Sequence, residues 1–176
     1  MRFLPLFLSF GLWGGVCLAL PLPSPANPIA QATSNTNALS EEAIRQMMAK
    51  IEQAEQKEDI KTLMSFLAPF IVSEITVTTD EQTTTRTLEG LGEHQDLLQS
   101  SYNRVAKREV LEKNTQIRLT EDGQLAIVKR RSLRDVTTED KKKFLSFSED
   151  TIRVAMIGGQ PKIVSIRSEG WLEERP

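Results

Sequence analysis

The sequence predicts an α+β fold: three N-terminal-side helices packed on a strongly curved, cone-like antiparallel sheet, preceded by a signal peptide. Three observations carry this. Apolar residues recur at helical spacing between Ser40 and Leu67, and again from Glu93 to Lys107. From Glu109 onward the chain reads as strands divided by turn signals. Beyond one early hairpin, helices and strands are therefore segregated, which is the pattern of helices covering one face of an antiparallel sheet.

The first element is the export signal. Arg2 supplies a short positive start, and Phe3 to Leu20 is nearly all apolar and uncharged. A stretch rich in Pro and Ala follows, and Ala30-Gln31-Ala32 offers small-x-small cleavage before Thr33. Ser24-Pro25-Ala26 and Cys17-Leu18-Ala19 are alternative sites. The reading divides the chain into a signal peptide at 1–32, a flexible leader at 33–39 and one domain at 40–176. It places the protein in the periplasm or the medium. The alternative is a membrane anchor formed by the uncleaved apolar segment, since about 18 apolar residues just span a bilayer. Val16 before Cys17 argues against lipid attachment at that cysteine. Cleavage beyond Cys17, the single cysteine, leaves a chain with no disulfide and no thiolate chemistry.

Composition limits the function classes. Of 176 residues, 26% are charged and 39% hydrophobic, as in an ordinary folded domain. The formal net charge is −2, so no global basic field draws in nucleic acid.

The domain opens with Ser40 as an N-cap and Glu41 and Glu42 in the first turn, where the helix dipole favours anions. Ala43, Ile44, Met47, Met48, Ile51 and Ala54 form its apolar stripe. Asp59 caps a second helix with Ile60, Leu63, Met64 and Leu67 on one face, and Pro69 is expected to stop it. Phe70 to Thr79 and the threonine-rich run after Asp80-Glu81-Gln82 make an exposed hairpin. Gly90 and Gly92 precede a third helix over 93–107, with Leu97, Leu98, Ser101, Tyr102 and Val105 inward. Strands follow at 109–119, 125–135, 144–157 and 162–172. Asp122-Gly123 is a two-residue hairpin signal, and Gly158 to Pro161 turns the last pair.

Four segments carry a family likeness: "IEQAEQKEDIKTLMSFLAP", "GLGEHQDLLQSSY", "LTEDGQLAIV" and "GGQPKIVSI". Their order and spacing resemble the nuclear transport factor 2-like superfamily, which includes ketosteroid isomerases and polyketide cyclases. The resemblance implies a cone with a pocket between helices and concave sheet, and homodimers formed through the sheet. It also implies that enzymes of this type hold an Asp or His base and a Tyr or Asp donor in the cone. The superfamily hosts enzymes, binding domains and scaffolds alike, so the likeness speaks to architecture more than to chemistry.

His94, the single histidine, and Tyr102 are the catalytic candidates. His94 stands near the start of the third helix, where the dipole favours a neutral ring, and its ordinary role there is a surface or capping one. Tyr102 lies two turns on, and its ordinary role is a core tyrosine. No metal spacing, phosphate loop or nucleophile elbow is present in the sequence, and no cofactor is implied.

Lys129, Arg130 and Arg131 interrupt an otherwise apolar strand. If adjacent antiparallel strands flank the loop 136–143, these cations face Ser148, Glu149 and Asp150 as a charge ladder. Alternation puts Arg130 on the face opposite to Lys129 and Arg131. One face is concave, and a buried arginine needs a carboxylate or an anionic ligand. Tyr102, Arg130 and Arg131 are therefore the ligand-binding candidates, suited to a small acidic or apolar ligand. The function expected is an exported small-ligand-binding or protein-interaction domain without catalysis. The alternative is a metal-independent acid–base pocket enzyme of isomerase, cyclase or dehydratase type.

Overall fold

The computed structural model describes residues 38–175. The signal-peptide reading falls outside these residues, as does the leader apart from Ala38 and Leu39. Leu39 is no free leader: it is buried in the core, and its N–H donates to the Gly123 carbonyl at 2.8 Å.

Helix α1 spans Glu41–Gln56, with the Ser40 hydroxyl accepting from the Ala43 N–H at 3.1 Å. Its buried face is the expected stripe from Ile44 to Ala54 with Glu55 added, and Ala43 is only half-buried. Glu58, with φ of 54°, reverses the chain, and the Asp59 carboxylate caps α2, Ile60–Ser65. This helix ends before Pro69. Leu67, expected on its face, opens strand β1, Leu67–Thr78. Pro69 stands inside that strand, within an irregularity where the pairing with the last strand slips between Leu67 and Val72. A residue without an N–H is tolerated there because no ladder bond is required of it.

Strand β2, Thr83–Glu89, returns antiparallel to β1. Helix α3 runs from Gly90 to Tyr102, one turn earlier than expected, and Gly90 enters it at φ of 67°. Val105, expected on the helix, begins β3, Val105–Leu119, and packs with Val136 and Leu172. The remaining strands are β4 (Leu125–Thr138), β5 (Lys143–Ile157) and β6 (Gln160–Arg175). The connection around Asp122-Gly123 has five residues, 120–124, rather than two. The two-residue turn is Gly158-Gly159, both with positive φ.

The strands form one open sheet in the order β2-β1-β6-β5-β4-β3. The expectation of a wholly antiparallel sheet is corrected at one place: β1 and β6 pair in parallel. The meander from β3 to β6 brings the chain back beside β1 running in the same direction, so the sheet is mixed. The three helices pack on one face, and the main core lies between them and β4, β5 and β6.

Candidate functional site

Strand parity builds the interior. Along β4 the buried residues alternate without a break, from Ala126 and Val128 through Arg130, Ser132 and Arg134 to Val136 and Thr138. On β5 the buried set is Ser146, Ser148, Asp150, Ile152 and Val154. The inner face is thus apolar at one end and polar at the other.

Arg130 and Asp150 are direct partners across the β4–β5 ladder. Arg130 donates through Nε at 3.0 Å and Nη2 at 2.5 Å to one Asp150 oxygen, and Ser168 donates to the other at 2.6 Å. Ser132 and Ser148 hydroxyls meet at 2.9 Å one step along. Arg134 is buried as well. Burial first, and the Arg130 charge second, lower its pKa to about 10, so it stays a cation at neutral pH.

Glu55 enters this chamber from α1. Burial raises its pKa well above the ordinary 4.5, against the opposing pull of Arg130 and Arg134. Its Oε2 has no hydrogen-bond partner. Tyr102 is buried beside it, its hydroxyl likewise without a hydrogen bond. Burial and then the Glu55 charge push phenol ionisation upward. The Arg108 guanidinium lies 5.0 Å from the Tyr102 ring centroid.

His94 is a core residue rather than a surface or capping one. Its Nδ1 lies 2.6 Å from the Gly90 carbonyl and its Nε2 2.7 Å from the Ser73 hydroxyl. A carbonyl only accepts, so Nδ1 carries the proton and Ser73 donates to Nε2. Burial lowers the His94 pKa, opposed by the bond to Gly90. The neutral ring expected from the sequence is therefore accounted for chiefly by desolvation.

A cavity of about 50 Å³ sits between helices and sheet. Glu55, His94 and Arg130 reach it, and the rest of its wall is apolar, including Ile51, Leu98 and Ile163. Tyr102 is not among its lining residues. Arg131 belongs elsewhere: it is exposed on the opposite sheet face, 2.6 Å from Glu149, in a broad depression with Lys129 and Phe147. The expected register is off by one, and Lys129 faces Thr151 rather than an acid.

Glu55, Arg134, Ser73 and Ser168 were not singled out by the sequence reading. Glu55 carried a signal, since it stands four residues after Ile51 and seven after Met48 on the same apolar stripe. Arg134 shares the strand parity of Arg130. Among the described residues, no group of three or more His, Cys, Asp or Glu side chains is placed to hold a metal ion. No helix among them is long and apolar enough to cross a membrane.

No family model matches the chain, and no curated protein matches it in sequence. Solved structures do match in shape. A hexachlorocyclohexane dehydrochlorinase from Novosphingobium barchaimii superposes with a TM-score of 0.58 at 12% identity, covering 76% of this chain and 88% of that one. A ketosteroid isomerase-like protein from Erwinia carotovora gives 0.55 at 11% identity, over 75% and 98%. A nuclear transport factor 2-like protein from Burkholderia xenovorans gives 0.51 at 17% identity, over 74% and 91%. At such identities the likeness is one of fold. The chain has the α+β cone of the nuclear transport factor 2-like superfamily, as its sequence order indicated.

Proposed function

We propose that this protein is an exported domain that binds a small ligand in its cone without transforming it. The observation that carries the reading is the cavity itself: apolar along most of its wall, with a carboxyl oxygen of Glu55 at hand that has no hydrogen-bond partner. Such a wall with few polar groups suits a small molecule. The groups a catalyst would use are engaged, His94 by Ser73 and Gly90, and Asp150 by Arg130 and Ser168. Homodimerisation through the outer sheet face belongs to the same proposal. There Phe147 packs on the exposed Trp171 with ring centroids 5.3 Å apart, a surface suited to burial against a second copy.

A second reading, acid–base catalysis, is favoured by one observation. A carboxyl biased toward its acid form and a neutral imidazole reach the same cavity. The dehydrochlorinase and isomerase-like proteins that share the fold are consistent with it.

The test is ligand-observed NMR with a panel of small apolar acids, amides, alcohols and amines, run on the protein and on Leu98→Trp, which fills the cavity. Binding by the protein alone, with every compound recovered unchanged, is expected. Conversion of a panel member would replace binding by catalysis, and no binding, or equal binding to Leu98→Trp, would end the pocket reading.

A further inference from the structure

We propose that the ligand is a small aliphatic alcohol, held in the cone by its hydroxyl on Oε2 of Glu55. This rests on the binding reading above and names the class of molecule the cavity takes.

Three polar side chains reach the cavity: Glu55 from α1, His94 from α3 and Arg130 from β4. Two of them are already engaged. His94 uses both ring nitrogens, Nδ1 on the Gly90 carbonyl and Nε2 on the Ser73 hydroxyl. Arg130 is held by Asp150, whose second oxygen takes the Ser168 hydroxyl. Glu55 differs. It is 4% exposed, and its Oε2 has no hydrogen-bond partner. A buried oxygen of this kind costs stability until a partner reaches it. The rest of the wall is apolar, with Ile51, Leu98 and Ile163 among its residues. The cavity therefore asks for one polar atom on a hydrocarbon body.

Carboxyl chemistry fixes what that atom must do. Ionised, Oε2 only accepts. Protonated, it accepts as a carbonyl or donates as an O–H. A hydroxyl carries one donor and two lone pairs on a single atom, so it serves Oε2 in every one of these forms. An ammonium serves only the accepting forms, and it brings a charge and further N–H groups to a wall of hydrocarbon. A ketone or a carboxylate serves only the donating form, and the carboxylate also buries a charge. A primary amide serves all forms but carries two N–H donors and a carbonyl, more than one oxygen can satisfy. Water meets Oε2 as well as a hydroxyl does. It needs roughly two to four polar partners, however, and the hydrocarbon part of the wall supplies none. The hydroxyl is thus selected whether Glu55 is ionised or not.

Size narrows the class. The cavity of about 50 Å³ equals roughly three to five water-sized probe volumes, at roughly 10–15 Å³ each. It suits an alcohol of a few carbons, with the chain against Ile51, Leu98 and Ile163.

Protein-observed NMR titration of the full chain tests this with sec-butanol, butanone, propionate, propionamide and sec-butylamine, a set of matched size. The methyl signals of Ile51, Leu98 and Ile163 report occupancy of the cavity. We expect sec-butanol to bind best, and about tenfold more tightly than butanone, the worth of one hydrogen bond. Glu55→Leu should bind the alcohol and the ketone alike, and Leu98→Trp should bind neither. The ranking of the five compounds needs no variant, so a folding failure of either leaves the test intact. Butanone binding as tightly as sec-butanol overturns this inference and leaves the binding reading standing. Equal or better binding of propionate, propionamide or sec-butylamine does the same, as does a preference for sec-butanol that survives Glu55→Leu. If nothing on this panel or the wider one binds, both fall.

Discussion

Arg130 and Arg131 are neighbours in sequence, and each faces a carboxylate across the same ladder, Asp150 and Glu149. Their side chains live in different media. The Arg130–Asp150 pair is 1% and 5% exposed, and the Arg131–Glu149 pair 70% and 39%. Strand pleating sends consecutive side chains to opposite faces, so a single step along the backbone moves an ion pair from the core to solvent. Outside, water and salt already solvate both charges, and the pair adds little. Inside, each charge has been stripped of water and depends on its partner. Ser168 adds a further bond that completes Asp150. The two pairs look alike in sequence and differ in what their loss would do.

The largest difference should follow from breaking the inner pair. Asp150→Ala leaves the Arg130 charge buried without its carboxylate, and should cost about 3–5 kcal/mol in urea unfolding. Arg130→Met with Asp150→Leu removes both charges and should recover most of that loss. A cost for Asp150→Ala under about 1 kcal/mol would put the inner pair on a par with an ordinary surface pair.

Next in size is removal of the Ser73 hydroxyl. Ser73→Ala leaves buried Nε2 of His94 without its donor and should cost about 1–3 kcal/mol, measured the same way. A loss too small to resolve would mean that water or a shifted ring replaces Ser73.

The pH dependence sharpens the contrast further, because burial shifts the titration of Glu55 and His94 in the interior. Burial raises the Glu55 pKa, so the folded chain binds more protons than the unfolded one above pH 4.5. Its contribution to stability is full below that value and is lost as pH rises through the folded pKa. His94 works in the opposite sense. Its folded pKa is depressed, so its contribution is present above 6.5 and is lost as pH falls through the folded value. Denaturation of Glu55→Gln as a function of pH isolates the histidine, and stability should then fall on acidification below the ordinary histidine range. A flat profile for Glu55→Gln would mean that His94 takes up its proton as readily folded as unfolded.

The smallest effect belongs outside. Glu149→Ala should change stability by no more than about 0.5 kcal/mol, and added salt should shrink even that. A loss comparable to that of Asp150→Ala would show that the outer face is covered, as it would be between two copies of the chain.

Much of this was legible in the residues. Alternation separated Arg130 from Arg131 on sequence alone, and the strand order brought the segment 148–150 opposite the cations, one residue out of the register that pairs both arginines with acids. Glu55 could be found from its place on the stripe of Met48 and Ile51. The Ser73–His94 bond could not, because it joins β1 to α3 across 21 residues and depends on how that helix lies on the sheet. Nor could the parallel pairing of β1 with β6, which is closed by strands separated by most of the domain. Pro69 misled for a related reason. Its missing N–H argues equally for a helix end and for a gap in a ladder, and only the irregular pairing of β1 with β6 distinguishes the two.

The sequence by itself determined the helices, the meander and which side chains share a face, since those follow from backbone periods of 3.6 and 2 that any short window displays. Which face is buried, and therefore which arginine must have a carboxylate, was decided by tertiary structure. Desolvation is a property of the whole assembly: α1 and α3 must cover the sheet before Glu55, His94 and Asp150 lose their water. The chemistry of the cone begins at that step.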